Sequence, residues 1–360
     1  MRTLGQQVLF FVLLLTHGLQ ALACAICAPA DGQNTVLYRL YAADAVVLAQ
    51  PAPPGGAARV LAQIKGTPPT APIDRIQGPL PEPASGRQMP VVLVYNAAGQ
   101  SWRALGTLGL DRVAWLQRLA TLRPASVAPV ADWGARLPAF VDDLEDPQPL
   151  VAQAAYEEVS VAPYAVMRSV RGRLVAARLQ HWLDDPALVA RRPLYTLLAG
   201  FAGGAEAAPQ MRARMLHATK DGSAASLSAA LAAYLEVLGA PGVAWIEEAY
   251  LSGPGREEFE VQAAVMALGV HGSDGTRVPR ERVIAAYARL AAGNPALAGF
   301  AASDLAGWGH WDMGPVYAEI LGSGRPLVFA SRYAMVFYLL RSPLPQARAA
   351  IEALRAAKAL

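Results

Sequence analysis

Cysteine is almost missing from this chain: Cys24 and Cys27 are the only two in 360 residues. A disulfide framework is therefore excluded, and the fold must be held by packing. Four-cysteine zinc sites are excluded as well, and no His-x₃₋₅-His pair exists to complete a mixed one. Charge is also scarce. Asp, Glu, Lys and Arg make up 16% of the residues against 54% hydrophobic, whereas globular chains carry about 25% and about 45–50%. That balance excludes disorder and suits many helices packed through Ala and Leu. The net charge is only +3, with no basic run and no basic stripe interleaved with aromatics, so nucleic acid is not an expected partner. No phosphate-binding glycine loop, no His-Glu-x-x-His and no Gly-x-Ser-x-Gly is present.

Long apolar runs are missing too. The one at the start, Val8 to Leu15, is much shorter than the roughly 20 residues that span a bilayer. With Arg2 before it, a polar stretch Thr16–Gln20 after it and Ala21-x-Ala23 at its end, it reads as an export signal over residues 1–23. The mature chain is then periplasmic or secreted, has no transmembrane helix and starts at Cys24. Ala23-Cys24-Ala25 offers a second small-x-small cleavage site, and Ala21-Leu22-Ala23-Cys24 is similar to a bacterial lipoprotein box that would lipidate Cys24. Cleavage after Ala23 without a lipid anchor is the reading adopted.

Cys24 and Cys27 form a C-x-x-C. In an oxidising compartment a small structural disulfide, or a plain thiol pair, is the first reading. Thiol exchange or half of a metal site is the second. The pair precedes every strand signal, whereas redox chemistry of the thioredoxin kind wants the first Cys at a helix N-terminus inside a βαβ pattern.

Residues 24–122 read as a small α/β domain. Val36, Leu37, Leu40 and Tyr41 give one helical stripe. Strands follow at 44–49 and 58–65, then an irregular Pro/Gly-rich stretch over 66–90. Residues 90–95 form the clearest strand, 96–99 a turn and 102–108 its return, and Asp111 is placed to cap a helix over the Val113–Ala120 stripe. An opening with cysteines and Pro29, a helix, and then Ala43-Asp-Ala-Val-Val-Leu-Ala49 resembles netrin-like modules. That resemblance implies an OB-type barrel. In the metalloproteinase inhibitors of that group the amino-terminal Cys chelates a protease zinc, a position held by Cys24. The chain departs from them in having C-x-x-C for C-x-C and in lacking their later cysteines.

Residues 123–138 read as a linker and 139–360 as an all-α array, giving an α+β chain. Asp146-Pro147, Asp185-Pro186, Asn294-Pro295 and Ser342-Pro343 place a capping side chain before a helix-starting proline, and Gly203, Gly239, Gly269, Gly293 and Gly322 mark expected helix ends. Leu227, Leu231, Tyr234, Leu235 and Leu238 form one stripe, and Val283, Ile284, Tyr287 and Leu290 another. Leu327–Leu340 is apolar apart from Arg332 and is expected at the centre. In helix length and proline punctuation the array resembles HEAT-like solenoids.

Chemistry-bearing residues are few. Trp308, His310, Trp311 and Asp312 share one turn, as a ligand cluster or as a helix-to-helix turn. Met211 and Met215, one helical turn apart and followed by His217, would suit Cu(I) or fill a core. His271, Ser273 and Asp274 are triad residue types side by side, which is no nucleophile elbow, and the paired acids read as caps and solvated faces. The reading is an exported, non-catalytic scaffold that binds a protein partner and needs no cofactor. A thiol or metal-handling protein using Cys24 and Cys27, or a hydrolase-like enzyme near His310 and Asp312, are the alternatives. Intact mass is expected to show a mature chain beginning at Cys24 without lipid; a diacylglycerol adduct would refute this.

Overall fold

The computed structural model describes residues 35–53, 56–78, 89–124, 133–252 and 255–359. The expected export signal over residues 1–23, Cys24 and Cys27 lie outside them. The chain is α+β, with a five-stranded sheet near the amino end followed by a long helical array. Two compact units divide between Met167 and Arg168. The sequence-based linker over 123–138 falls within the first of these.

That unit opens with helix α1 (Val36–Ala42), capped by Thr35, whose hydroxyl accepts the Tyr38 N–H at 3.1 Å. Strands β1 (Ala45–Gln50), β2 (Arg59–Lys65), β3 (Ile76–Gln77), β4 (Val91–Asn96) and β5 (Ser101–Thr107) follow. Their order is β2-β1-β4-β5-β3, antiparallel except for the parallel β3–β5 pair. Ala58, beside β2, bridges Ile73, on the approach to β3, through an N–H···O bond of 2.8 Å. This one bridge links the approaches to the two edge strands.

Strand alternation explains what the sheet buries. Ala45, Val47 and Ala49 of β1, Val91 and Leu93 of β4, Trp102 of β5 and Ile73 form one buried cluster. Val46 and Leu48 point to the other face and are equally buried, because α1, α2 (Val113–Thr121) and α4 (Pro149–Ser160) lie on the sheet. From α4, Glu157 accepts the Val36 N–H at 2.6 Å, placing a carboxylate on the positive end of α1. Its neighbour Glu158 pairs with Arg136 of α3 (Trp133–Val141), whose guanidinium lies over the Trp133 and Phe140 rings.

The second unit is helical throughout its described residues. After α5 (Tyr164–Ser169), which contains the division, come α6 (Ala176–Asp184), α7 (Arg192–Ala202), α8 (Ala208–Lys220), α9 (Ala224–Leu238) and α10 (Ala240–Ile246). Beyond these lie α11 (Glu258–Asp274), α12 (Arg280–Gly293), α13 (Ala302–Gly307), α14 (Gly314–Gly322), α15 (Phe329–Arg341) and α16 (Pro345–Ala356). Helix α9 is buried from Leu227 to Val237 and packs on α7, α8 and α11. It comes closest to α7 at Gly200, where a Cβ would sit 2.7 Å from the Ala233 Cα.

Three expectations need correction. Two of the capping residues before proline build turns instead: Asp146 and Ser342 each accept the N–H two residues on, whereas Asp185 caps the 3-10 helix Pro186–Arg191 as expected. After Asp146 and Ser342 the α-helix accordingly begins later, at Pro149 and Pro345. Gly269 does not end a helix but sits inside α11, where a Cβ would lie 2.3 Å from Asp304 Oδ2; the left-handed C-cap is Gly275. Helix α15 is not central. Only one side of it, including Ser331, Met335, Tyr338 and Leu339, is buried.

Gly200→Ala is expected to destabilise the protein by about 1–3 kcal/mol through overpacking, read as a lower denaturant midpoint. An unchanged midpoint would refute so close an approach of α7 and α9.

Candidate functional site

The residues singled out in the sequence separate in space. Met211 and Met215 occupy the buried face of α8, whereas His217 is exposed on another side of the same helix. The methionines are core residues here. No group of three or more His, Cys, Asp or Glu placed to hold a metal occurs among the described residues.

Trp308, His310, Trp311 and Asp312 form the turn between α13 and α14, with Gly309 at φ +71°. The two indoles leave it in different directions. Trp308 stacks on Tyr287 at 6.0 Å and donates to Ser273 Oγ, while Trp311 packs against Tyr338 at 5.0 Å. The His310 carbonyl accepts the Tyr338 hydroxyl at 2.5 Å, and Asp312 is exposed. The cluster is a packed helix-to-helix turn.

His271, Ser273 and Asp274 likewise go to three different partners. Asp274 Oδ2 accepts from Arg168 Nη1 at 2.7 Å. Ser273 receives the Trp308 indole. His271 is fully buried, with Nε2 2.9 Å from the Ala232 carbonyl. A carbonyl only accepts, so Nε2 carries the proton, and burial holds the ring neutral with a pKa lowered to about 4.

The acidic pairs are absorbed in the same way. Glu247 takes Arg282 Nη2 at 2.6 Å, Asp143 takes the Trp115 indole N–H at 2.9 Å, and Glu257 forms a capping box with Glu260. Asp304 accepts the Tyr287 hydroxyl at 2.6 Å, yet burial still raises its pKa to about 6.

Two sizeable cavities fell outside the sequence reading. One, of about 580 Å³ in the second unit, is lined by Arg192 and Arg214 and includes His217 at its wall. Asp184 and Asp221 line it as well, so among the described residues its lining carries both signs of charge. The other, of about 560 Å³ in the first unit, lies where the second half of α1 faces β4 and β5. Among the described residues, Arg39 and Arg103 are the only ones of Asp, Glu, Lys, Arg or His type that line it. Neither arginine carried a sequence signal, because a helix and a strand distant in the chain bring them together.

A third feature lies on α15. Phe329, Tyr333, Phe337 and Leu340 are 82%, 64%, 50% and 55% exposed. Their spacing puts them on one helix face, with Arg332 and Arg341 exposed on either side of it. Tyr333 and Phe337 stack at 6.3 Å, and the Arg341 guanidinium lies 5.9 Å from the Phe337 ring.

Comparison of the chain with protein-family models, with curated proteins and with solved structures finds no match in any of the three.

His271 and Asp304 act in opposite directions on acid stability. The His271 pKa lies below its unfolded value, so its contribution is present above about pH 6.5 and is lost as pH falls towards about 4. The Asp304 pKa lies above its unfolded value, so its contribution is gained as pH falls through about 6 towards 3.8. Asp304→Asn keeps an acceptor for Tyr287 and removes the gain. Urea unfolding of this variant is expected to show stability falling more steeply than wild type between about pH 6 and about pH 4, by roughly 2–3 kcal/mol across the window. Parallel pH profiles would refute the buried titration of Asp304.

Proposed function

We propose that this is an exported, non-catalytic interaction protein whose helical array docks a protein partner on the exposed face of α15. The observation that carries the reading is the aromatic stripe Phe329–Tyr333–Phe337–Leu340, half or more exposed along its length. Four large apolar side chains in a row on one helix face mark an interaction surface, whereas single exposed apolar residues need no explanation. Aromatic side chains with flanking arginine are also the residue types that carry most binding energy in protein interfaces.

Charge defines the chemistry of the partner. From Gly324 to Ala359 the chain carries Arg325, Arg332, Arg341, Arg348, Arg355 and Lys358 against the single acid Glu352. The complement is an amphipathic protein segment with apolar residues in the middle and carboxylates at its edges. Basic rims of this kind speed encounter and fix register, while the buried aromatic centre supplies affinity.

The netrin-like resemblance of the first unit belongs to the same proposal. The order β2-β1-β4-β5-β3, the parallel β3–β5 pair and the Ala58–Ile73 bridge support an OB-type barrel. A HEAT-like relation of the array is supported by α9, which packs on helices one or two places away in the chain. The non-catalytic part of the reading draws on His271, Ser273 and Asp274, whose side chains go to three different partners.

The test compares immobilised wild type with Tyr333→Ser/Phe337→Ser and with Arg332→Glu/Arg341→Glu, all checked for unchanged circular dichroism. A partner from the exported fraction is expected to bind wild type directly once purified, and to lose affinity about tenfold or more with either variant. Its binding segment should be acidic and amphipathic. Equal binding by the variants would overturn the reading, as would self-association of wild type through this face or binding to anionic vesicles in place of protein.

A further inference from the structure

The cavity between α1, β4 and β5 is the feature that the docking face leaves unexplained. Among the described residues its two charged lining side chains are Arg39 of α1 and Arg103 of β5, and no carboxylate lines it. The Nε of Arg39 is buried and has no hydrogen-bond partner among the described residues. Arg103 Nε donates to Gln77 Oε1 at 3.3 Å, a contact that holds the guanidinium at the wall through a single long bond. A guanidinium presents five N–H donors in a planar fork and accepts nothing. Leaving such a donor buried and unmet costs free energy, and two like charges around one space raise the cost further. An oxyanion in the cavity relieves that repulsion, because carboxylate and phosphate each match a guanidinium fork with two parallel hydrogen bonds.

The rest of the wall defines what else the ligand carries. The Asn96 side-chain oxygen is taken by the Gly99 N–H at 2.9 Å, so its amide end is the part left to donate. The Ser101 hydroxyl completes a polar side with the arginines. Ala42, Val94 and Leu105 supply apolar surface. The space, about 560 Å³, lies within the roughly 300–1,000 Å³ of small-molecule sites and is far larger than an inorganic oxyanion needs.

We infer that this cavity binds a small organic anion, gripping its carboxylate or phosphate group between Arg39 and Arg103 and packing an apolar body against the α1–β4–β5 wall. The site is independent of the α15 surface and rests on none of the residues assigned to it. It gives the first unit a binding role of its own.

Titration calorimetry on the full mature chain at low salt tests the inference with four probes: phenyl phosphate, benzoate, neutral benzamide and inorganic phosphate. Phenyl phosphate and benzoate are expected to bind saturably, one per chain, and the tighter of the two identifies the preferred head group. Inorganic phosphate is expected to bind more weakly than phenyl phosphate, and benzamide not measurably. Arg39→Gln and Arg103→Gln should each weaken the anions about tenfold or more, with Arg39→Lys retaining part of the affinity. Ala42→Trp, at an exposed rim residue, should block the cavity without touching either arginine and serves if the arginine variants do not fold. Absence of saturable binding by both organic anions, equal binding of benzamide, or affinity unchanged in Ala42→Trp would each overturn the inference.

Discussion

Helix α9 is buried on every side, and that imposes the main electrostatic constraint of the helical unit. Its sequence, Ala224 to Leu238, contains a single charged residue, Glu236, near its carboxyl end. There the helix dipole disfavours a carboxylate, and the surrounding packing removes most of its water. The charge is met by Arg168, which grips both oxygens at 2.8 Å and reaches Asp274 at 2.7 Å with its remaining arm. Arg277 lies alongside, donating to the Glu236 and Val237 carbonyls that the helix end leaves open. One network thus closes the end of α9, ties α11 to it and fixes the start of the unit at Arg168. Breaking such a buried pair from one side leaves the other charge unmet, which costs far more than the pair contributes when whole.

The same economy runs through the other polar residues. With charge so scarce, nearly every acid found in the interior serves a named donor. Glu157 serves the first turn of α1, Glu158 serves Arg136, Glu247 serves Arg282, and Asp304 serves Tyr287. A catalytic carboxylate or histidine must be free to change partners or protons during a reaction. His271 is the reverse of that, neutral and pinned to a carbonyl beneath α9.

How much of this was legible depended on whether one local pattern decided the outcome. The β4 run and the stripes of α9 and α12 are unambiguous, because period and burial coincide there. Gly269 was misread because its neighbour in space, Asp304, comes from another helix and leaves no room for a Cβ. Asp146 and Ser342 were read as helix caps, yet a side chain before proline bonds the N–H two residues on as readily as it caps. The α15 error has a different source. A helix apolar around its whole circumference normally reads as buried, and composition alone does not say whether a partner within the chain covers every side. The Arg39–Arg103 cavity gave no signal at all, since it exists only once β5 pairs with β4 opposite α1.

Those last two cases are where local expectation and folded environment disagree most, and disagreements of that kind concentrate at functional surfaces. Elsewhere the signs of charge are mixed: Arg168 is matched by two carboxylates, and Arg192 and Arg214 share their cavity with Asp184 and Asp221. An exposed aromatic row invites aggregation, and a cavity lined by two arginines with no acid among the described residues carries like-charge repulsion. A chain this sparing with charge places two arginines around one empty space and two more beside an exposed aromatic row. In both places the complement missing among the described residues is anionic.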